Sequence, residues 1–561
     1  MAIQCFYCVL SDFVIFTLIA FPKFVSCLIK GEIMAYTRRQ FIKRFGSGLA
    51  ALSLTPWACN RVNNDRPNLV MIMADDIGFS DIGCYGAEIS TPNLDRLAAN
   101  GIRFGHFYNM AKCNPTRSSL FTGHYFGDDR SINFAQLFKD AGYYTLFSGK
   151  EHFDDWVPES CYAANIFDQS FTFWATTEYF IPPSGKFSRP FYLNGKELDA
   201  DHLPGTQKPF YKTDAFTDQA LEWLEGPLRE KQSFLLCLPY HVAHYPLQAR
   251  PEDIAKYRGK YKKGWDVIRQ ERFERMQSLG IINENARLSP PESNTNKFRG
   301  HPGGYDKERR KFPLYRPWNT LTDQEKDDYD LEMAVFAAMI DRLDRNIGRV
   351  LQRLDSAGVM DNTLIVFFTD NGSCPFDSNR DFDIPPGPAD SYRCLRPAWA
   401  NVGNTPFRLY KQNGHEGGCN THFIAHWPRV INPGQITMQP GHVVDIFPTF
   451  LQAAGIAYPD HYRGEPTRPL HGYSLMPVFR GRQRPEPPYF ISGNTEKFRM
   501  FRMGEWKIVR QNNGPWELYN LADDPTEIDD LALTLPEKVD ELIQSYHAVM
   551  ESMPGDVDSS G

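Results

Sequence analysis

Five short apolar runs, each followed by polar residues, recur along the chain at 68–73, 144–148, 234–238, 363–368 and 421–426. Continuous apolar runs of this length are typical of strands that are buried on both faces of a parallel sheet. Helical patterns lie between them. One begins at Thr91 with Pro92 in its first turn, and a long amphipathic stretch extends from about 323 to 354.

Apolar strands that alternate with helices predict an α/β fold with a doubly wound, mixed but mostly parallel sheet flanked by helices. Near the C-terminus, residues 500–509 and 516–521 have the pattern of antiparallel strands, and 536–550 that of a helix. We therefore expect a large domain over residues 61–480 and a small C-terminal α+β subdomain over 481–561.

Residues 256–320 differ from the rest of the chain, since they are rich in charged residues, Asn and Pro and contain few apolar runs. This composition predicts a long surface insertion.

The first 60 residues form an N-terminal extension with the features of a targeting segment, and we exclude them from the fold. Residues 37–43, Thr-Arg-Arg-Gln-Phe-Ile-Lys, precede an apolar stretch and look like a twin-arginine export signal. We expect export to the periplasm, the outer membrane or the extracellular space. Cys59 is a candidate lipoprotein acceptor, although the residues before it fit that motif poorly. Residues 9–29 are apolar but carry charges, so both a membrane segment there and a true start at Met34 stay open.

Composition narrows the class of protein further. The 561 residues carry a net charge of -7, so no basic excess is present to neutralise phosphates, and no nucleic-acid partner is expected. The seven cysteines beyond residue 60 contain no Cys-x-x-Cys pair. A dense disulfide framework or a structural zinc site is therefore not expected, while one or two disulfides stay open for an exported protein.

Polar residues of types that bind metals or take part in catalysis follow the ends of four predicted strands. They are Asp75 and Asp76, Lys150 and His152, His241 and His244, and Asp370 and Asn371. Open α/β sheets bind their ligands along the edge where the carboxyl ends of the strands meet. We therefore expect these residues, which are distant in sequence, to converge on one rim of the sheet.

The acidic members of this set predict a metal site. Asp75, Asp76, Asp370 and Asn371 offer four oxygen donors and no thiolate or imidazole, which suits calcium or magnesium rather than zinc. Three crowded carboxylates would repel one another, and a divalent cation would neutralise them. For the Asp75–Asp76 pair alone, a helix N-cap is an equal alternative, but Asp370 and Asn371 favour the metal.

Cys113-Asn114-Pro115-Thr116-Arg117 is the next informative segment, and Ser-Ser-Leu-Phe-Thr-Gly follows it directly. Pro115 in a first helical turn leaves Cys113 near the N-cap, where backbone N–H groups favour an anion. Arg117 lies one helical turn later and can reach back toward Cys113. A bare Cys-x-Pro-x-Arg pattern would also suit an ordinary free cysteine at a helix start.

The pattern and the run after it resemble the signature of the type I, formylglycine-dependent sulfatases of the alkaline phosphatase superfamily. Six motifs occur in the family's order, including Lys411 in its Lys-x-x-x-His-Glu-Gly-Gly context and the segment 516–525. The resemblance covers roughly residues 66–555, with gaps, and implies that 61–480 is a sulfatase catalytic domain. It also implies that a formylglycine-generating enzyme oxidises Cys113 to formylglycine, whose hydrate is the nucleophile.

The resemblance further implies that the metal is calcium, with magnesium the less favoured ion. Asp75, Asp76, Asp370 and Asn371 would be its ligands, and an oxygen of the modified residue 113, encoded as Cys113, would complete the shell together with the substrate. A plain thiolate at this position would form a thiosulfate adduct without an easy route of release.

The remaining site residues also receive roles from the resemblance. Arg117, Lys150 and Lys411 would offset charge on the transferring sulfuryl oxygens. His152 would deprotonate the spare hydroxyl of the hydrate, and His244 would assist the leaving oxygen.

The roles of three residues near these motifs are not decided by the sequence. His241 suits either a catalytic or a supporting role, and His415 either touches substrate or only packs. Glu151 stands where many relatives carry Trp.

The expected reaction is hydrolysis of a sulfate monoester, either of a sulfated carbohydrate or of an aryl alcohol. The substrate partner would be a small-molecule or oligosaccharide sulfate ester, and the sequence leaves its identity open. Two alternatives remain. Related folds with the same modified residue hydrolyse phosphonates or phosphodiesters, and an unmodified Cys113 would leave a catalytically inactive binder of sulfated ligands.

Overall fold

The structure is a computed structural model, and it describes residues 66–553 apart from 129, 156, 176–177, 181–188, 200–201, 206–209, 292–314, 377, 380–381 and 495–496. It also describes the backbone of two N-terminal strands. The predicted export signal at 37–43 and the candidate lipoprotein residue Cys59 lie outside the described residues. Within the described part of the chain, no helix combines the length and the apolar character needed to cross a membrane.

The described strands are, in chain order, β1 (Val25–Ile29), β2 (Glu32–Tyr36), β3 (Asn68–Ala74), β4 (Ile102–Phe104), β5 (Phe107–Tyr108), β6 (Tyr144–Glu151), β7 (Gln169–Trp174), β8 (Phe191–Leu193), β9 (Lys196–Leu198), β10 (Phe234–Pro239), β11 (Thr363–Thr369), β12 (Phe423–His426), β13 (Gln435–Thr437), β14 (Gly441–His442), β15 (His461–Tyr462), β16 (Glu465–Pro466), β17 (Phe490–Asn494), β18 (Phe498–Met503), β19 (Trp506–Gln511) and β20 (Trp516–Asn520).

The described α-helices are α1 (Pro92–Ala99), α2 (Cys113–Thr122), α3 (Phe134–Asp140), α4 (Ala163–Ile166), α5 (Lys212–Glu230), α6 (Pro251–Ile254), α7 (Trp265–Ser278), α8 (Asp323–Ser356), α9 (Arg396–Gly403), α10 (Glu416–Cys419), α11 (Ile446–Ala454), α12 (Met476–Phe479) and α13 (Pro536–Ser552).

Ten strands form the main sheet, in the order β13-β4-β12-β11-β3-β10-β6-β7-β8-β9. The five central strands, from β11 to β7, are parallel neighbours. Antiparallel pairs flank them on both sides. The predicted mixed, doubly wound α/β sheet is therefore confirmed. The predicted strand at 421–426 is β12, which runs antiparallel to β11 rather than with the central strands.

Alternate residues of the central strands enter two separate hydrophobic cores. In β3, Val70 and Ile72 face the core that is covered by α1, α5, α7 and α8. Leu69 and Met71 face the opposite core, which contains residues of α2, α3 and α11. A strand whose side chains are buried on both faces reads as one continuous apolar run, and this explains the sequence pattern.

The C-terminal subdomain is a four-stranded antiparallel sheet, β17-β18-β19-β20, with α13 packed against β18 and β19. This confirms the predicted α+β subdomain, although the boundary at residue 480 stays a prediction. Residues 500–509, predicted as one strand, are two strands joined by a tight turn. Gly504 adopts a φ of 54 in that turn, a left-handed conformation that glycine tolerates without steric cost.

The predicted surface insertion at 256–320 is wrong for part of its length. Helix α7 lies inside this stretch and buries Trp265, Ile268 and Met276 in the main core. The buried face of this helix mixes apolar residues with two arginines, Arg269 and Arg272, while Val267 is exposed, so the sequence shows no clear apolar stripe. Arg272, for example, pairs with Asp81 at 2.6 Å. Buried, paired arginines made the helix look solvent-facing in the sequence.

The seven cysteines beyond residue 60 are buried, and none of them is in a disulfide. The disulfides left open by the sequence are therefore not formed among the residues that the structure describes.

Candidate active site

The rim predicted from the strand ends exists in the structure. The register pairs Thr369 of β11 with Ala74 of β3, and Met73 with Pro239 of β10, so these parallel strands end side by side. Asp75 and Asp370 therefore emerge next to each other. Lys150 lies inside β6, one residue before its end, rather than beyond the strand as the sequence pattern suggested.

Asp75 and Asp370 share the guanidinium of Arg117. Asp370 Oδ2 accepts hydrogen bonds from Arg117 Nη2 at 2.8 Å and Nε at 3.1 Å. Asp75 Oδ2 lies 3.5 Å from the same Nη2 and accepts a hydrogen bond from Lys150 Nζ at 2.5 Å. All four side chains are buried, so these contacts are the charge compensation that the protein itself supplies.

Asp76 is held by a second set of donors. Its Oδ1 accepts hydrogen bonds from Lys411 Nζ at 2.5 Å and from Asn371 Nδ2 at 2.7 Å. His244 Nε2 lies 3.6 Å from the other oxygen, Oδ2. Lys411 is only 3% exposed, so it is not a solvated surface lysine. Asp76 has a φ of 62, a conformation that costs a non-glycine residue energy and that occurs preferentially at functional sites.

One oxygen of each predicted metal ligand lacks a hydrogen-bond donor within the described part of the chain. Asp75 Oδ1, Asp76 Oδ2, Asp370 Oδ1 and Asn371 Oδ1 are buried and accept no hydrogen bond from the described residues. Leaving a buried acceptor unsatisfied costs about 1–3 kcal/mol each, and more for a charged one. Hard oxygen donors of this kind match the ligands that calcium and magnesium prefer. The residues present therefore fit a divalent metal ion.

Among the described acids, histidines and cysteines, Asp75, Asp76 and His244 form a group of candidate ligand atoms that all lie within 4.8 Å of one another. This cluster could hold a metal ion. Asp370 is not in the group, and Arg117 bridges it to Asp75 instead. We give more weight to the four partnerless oxygens than to His244, because an imidazole is the less suitable ligand for a hard cation.

The two adjacent carboxyl groups of the rim, Asp75 and Asp370, have pKa values that are shifted in opposite directions. Burial opposes ionisation of Asp75, but Lys150, His244 and Arg117 hold the pKa of this carboxyl well below its usual range. Burial and the negative charge of Asp75 raise the pKa of Asp370 well above its usual range. The protein's own cations thus do not suffice to favour ionisation of both adjacent carboxyls, and a divalent cation would supply the missing positive charge.

Helix α2 begins at Cys113 and is anchored to this rim by the next turn. Thr116 Oγ1 donates a hydrogen bond to the carbonyl of Asp370 at 2.7 Å and accepts one from the N–H of Met110 at 3.0 Å. Arg117 adds the contacts to Asp370 and Asp75 described above. The helix N-terminus is therefore fixed beside the paired aspartates, with Cys113 in its first turn.

His152 lies against the cysteine. Its Nδ1 is 3.3 Å from Cys113 Sγ. Burial, with the positive charges of Lys150 and Arg117, holds the pKa of His152 well below its usual value. A neutral imidazole at this distance can accept a proton from the side chain at position 113.

The open residues are placed as follows. His415 Nε2 donates to Glu517 Oε2 of the C-terminal subdomain at 2.9 Å, which favours packing over substrate contact. Glu151 accepts a hydrogen bond from the N–H of Ala163 at 2.6 Å. His241 stacks on His244 at 4.8 Å between ring centres.

Two contributors were missed by the sequence reasoning. Thr116 occupies a variable position of the Cys-x-Pro-x-Arg pattern, so only its buried hydroxyl contacts reveal its anchoring role. Lys212, the first residue of α5, lies 2.8 Å from His241 and carries no recognisable sequence signal.

The family assignment rests on comparison with known proteins. The family model described as Sulfatase matches residues 67–456, and that of N-sulphoglucosamine sulphohydrolase, C-terminal, matches residues 408–554. The chain belongs to the sulfatase family. It is thus a type I sulfatase of the alkaline phosphatase superfamily, and a sulfuric ester hydrolase.

Three curated relatives illustrate the range of this similarity. An uncharacterised sulfatase of Schizosaccharomyces pombe is 31% identical, over 88% of this chain and 95% of its own. An arylsulfatase of Klebsiella aerogenes is 31% identical, over 75% of this chain and 93% of its own. The N-acetylgalactosamine-6-O-sulfatase of Bacteroides thetaiotaomicron is 25% identical, over 87% of this chain and 94% of its own.

A solved structure shares the fold of this sulfatase. BT4656, in complex with its substrate D-glucosamine-2-N,6-O-disulfate, superposes with a TM-score of 0.56 at 21% identity, covering 87% of this chain and 98% of that chain.

Proposed function

We propose that this sulfatase hydrolyses sulfate monoesters of carbohydrates or aryl alcohols, with Cys113 converted to formylglycine and calcium bound at the rim. One observation carries the proposal. Cys113 begins a helix that Thr116 and Arg117 tie to Asp370, directly beside four buried oxygens that have no partner among the described residues.

The metal would be held by Asp75, Asp76, Asp370 and Asn371 through those four oxygens, with an oxygen of residue 113 completing the site. When bound, calcium would supply positive charge to a sulfuryl oxygen and neutralise the crowded carboxylates. Calcium is favoured over magnesium because it accepts a larger and less regular set of oxygen ligands.

The formylglycine hydrate would supply one hydroxyl for attack on sulfur and a second for expelling sulfate. His152 Nδ1, neutral and 3.3 Å from the side chain at position 113, takes the proton of the second hydroxyl. Lys150, Lys411 and Arg117 orient the sulfuryl oxygens. Their charges already converge on the aspartates, so no long cationic side chain has to be reorganised during the reaction.

His244 assists the leaving oxygen. Its Nδ1 donates to the carbonyl of Tyr245 at 2.8 Å, so Nε2 carries the lone pair in the neutral ring. Burial lowers the pKa of His244 to about 3, although Asp76 and Asp75 oppose that shift. An anionic ester beside Nε2 would raise this pKa and let the ring carry a proton for the leaving oxygen.

Maturation and location belong to the same proposal. The twin-arginine-like segment at 37–43 supports export, and Cys59 is a candidate lipoprotein acceptor although the residues before it fit that motif poorly. A formylglycine-generating enzyme would modify Cys113.

The substrate class follows from the relatives. The Klebsiella relative is named an arylsulfatase, and the Bacteroides relative acts on a 6-O-sulfated N-acetylgalactosamine. We place this sulfatase's substrate among aryl sulfates and sulfated carbohydrates on that basis.

The test is a substrate comparison on protein whose modification state is known. We expect mass spectrometry of the Cys113 peptide to show the aldehyde, and metal analysis to show calcium. Release of sulfate from 4-nitrophenyl sulfate or from 6-O-sulfated N-acetylhexosamines should exceed turnover of bis-4-nitrophenyl phosphate. A clear phosphodiester preference would favour the alternative hydrolase. An unmodified thiol in protein from a host that modifies other sulfatases would overturn the formylglycine assignment and favour a sulfated-ligand binder.

A further inference from the structure

A buried lysine and a histidine form a pair behind the rim. Lys212 is fully buried at the start of α5, and its Nζ lies 2.8 Å from His241 Nδ1. The same ammonium sits over the rings of Phe173 and Tyr179, at 4.5 and 4.4 Å from their centres. Burial lowers the pKa of Lys212, and the charge of Glu178 opposes that shift.

The ring of His241 is fixed in place from both sides. Tyr179 stacks on one face, with 5.3 Å between ring centres, and His244 on the other, at 4.8 Å. The Tyr179 hydroxyl donates to the backbone carbonyls of His241 and His244, at 2.6 and 2.9 Å. The two histidines are therefore held as a rigid pair.

Their hydrogen bonds select opposite tautomers. Lys212 has N–H donors to offer, so His241 Nδ1 accepts and its proton lies on Nε2. His244 Nδ1 instead donates to a carbonyl, and its Nε2 carries the lone pair. In the neutral state, His241 is thus the one of the two rings that presents an N–H at Nε2.

That N–H is buried and has no partner among the described residues. An unsatisfied buried donor costs about 1–3 kcal/mol, which the fold recovers only if something accepts from it. The ring of His241 stacks on that of His244, whose Nε2 lies 3.6 Å from Asp76 Oδ2 at the rim. His241 therefore stands among the residues that we assign to the sulfuryl group.

We propose that His241 is a further substrate-contacting residue, whose Nε2–H donates to an oxygen of the bound sulfate ester, and that Lys212 is its positioning residue. The inference rests on the proposed function. In this proposal, His241 donates a hydrogen bond to the substrate in its neutral form, without first gaining a proton. Lys212 selects the tautomer of His241 that carries the donating N–H.

Amide side chains test this assignment, because the amide nitrogen of Gln overlays histidine Nε2 while that of Asn overlays Nδ1. We expect His241→Asn to lower kcat/KM for 4-nitrophenyl sulfate about 10- to 100-fold, the range for losing a hydrogen bond to a charged group. His241→Gln should recover at least about tenfold of that loss. His426→Asn, on β12 at the opposite edge of the sheet, is the matched control and should stay near the wild-type rate.

Lys212→Met tests positioning rather than contact. In the wild-type background it should lower kcat/KM about two- to fivefold, because the rate falls with the fraction of His241 that carries its proton on Nε2 once both tautomers are populated. In the His241→Gln background it should change the rate by less than about 1.5-fold, because an amide has no tautomer to select. Formylglycine content, metal content and Tm are measured for every variant, so that misfolded protein is recognised.

The outcomes are distinguishable. Equal losses in His241→Asn and His241→Gln would overturn the donor role of Nε2. Equal losses for Lys212→Met in both backgrounds would overturn the positioning role. Normal sulfatase turnover by the wild type together with either result leaves the proposed function standing and removes only this inference. A modified wild-type enzyme that turns over no sulfate ester overturns both.

Discussion

Two buried charge clusters in this sulfatase look alike in composition and differ in how their oxygens are used. Beneath the C-terminal sheet, Lys507 Nζ contacts Glu416 Oε1 at 2.6 Å and Glu527 Oε1 at 2.8 Å. Tyr108 donates to Glu416, and Glu527 Oε2 accepts from the N–H of Glu416. Every carboxylate oxygen of these two glutamates lies within 3.2 Å of a donor, and Glu527 Oε1 has its ion pair with Lys507 in place of a hydrogen bond.

At the rim, the same kinds of residues leave one oxygen of each side chain without a hydrogen bond from the described residues. Lys150 and Arg117 occupy Oδ2 of Asp75, and Oδ1 of the same residue accepts nothing. Both clusters are buried, so burial and charge alone do not separate a structural network from a binding site. The partnerless oxygens do, because their desolvation is uncompensated until a ligand arrives.

The largest loss of activity should come from changing the proposed nucleophile, Cys113, which lies outside both charge clusters. Cys113→Ala should lower sulfate release at least about 10⁴-fold, as removing a nucleophile does in other hydrolases. The side chain makes few packing contacts that alanine lacks, so thermal denaturation should shift little. Metal content should persist, since four of the proposed ligands remain. Loss of folding with activity would show that the position serves the core.

The rim cluster should lose its metal when one carboxylate is removed. Asp370→Ala and the near-isosteric Asp370→Asn should each lower kcat at least about 100-fold. Calcium measured by atomic emission should fall with activity, and Tm should lose its dependence on added calcium.

Asp168→Asn is the matched control for this change, because Asp168 is a partly buried carboxylate at the opposite end of the same sheet, paired with Lys139 at 3.0 Å. It should keep both calcium and rate. Full metal content in Asp370→Ala would remove Asp370 from the ligand set and would leave the Asp75, Asp76 and His244 group as the candidate site.

The satisfied cluster should show the reverse pattern. Glu527→Gln removes one of the two carboxylates that pair with the buried Lys507 and leaves Glu416 to pair with it, so the free energy of unfolding should fall by about 1–3 kcal/mol. Denaturant unfolding should register that loss, while kcat per folded molecule and calcium content stay at wild-type values. A fall in calcium content at full folding would mean that the two clusters are coupled and that the comparison fails.

The sequence predicted the parts of the rim that the strands determine. Asp75 and Asp370 were expected together because both follow apolar runs, and parallel neighbours end at one edge. Lys411 came from its motif, since no strand carries it to the site. Which oxygen of Asp75 is free, and which nitrogen of His241 carries the proton, depends on contacts to residues distant in sequence.

Other features could not be read from the sequence because tertiary pairing hid them. Arg272 counted as a surface charge, but it is buried against Asp81 and Glu88, and the helix around it belongs to the core. Lys212 stands in no motif, and its burial against His241 is visible only in the structure. A charged residue looks the same in the sequence whether it is buried or exposed, and only its partners in the folded protein distinguish the two cases.

The smallest expected effect concerns a buried carboxyl group for which the described residues provide no ion pair and no metal site. Glu151 lies beside Lys150 in sequence, and its Oε1 accepts a hydrogen bond from the N–H of Ala163. Burial raises the pKa of Glu151 from 4.5 to about 7, against the opposing effect of that hydrogen bond. The folded protein therefore holds a proton here that the unfolded chain has released.

Because the folded-state pKa is raised, the stability from protonated Glu151 is complete below about pH 4.5 and is lost as pH rises through about 7. Glu151→Gln keeps the acceptor for Ala163 and removes the titration. Between these pH values the wild type should lose up to about 3 kcal/mol more unfolding free energy than the variant, from 1.36 kcal/mol per pKa unit. Urea titrations of both proteins across this range, with calcium held saturating, measure the difference. If the free energies of unfolding of the two proteins change with pH in parallel, Glu151 ionises in the folded state as it does in the unfolded chain. A buried carboxylate of this protein would then stay ionised without a neighbouring cation.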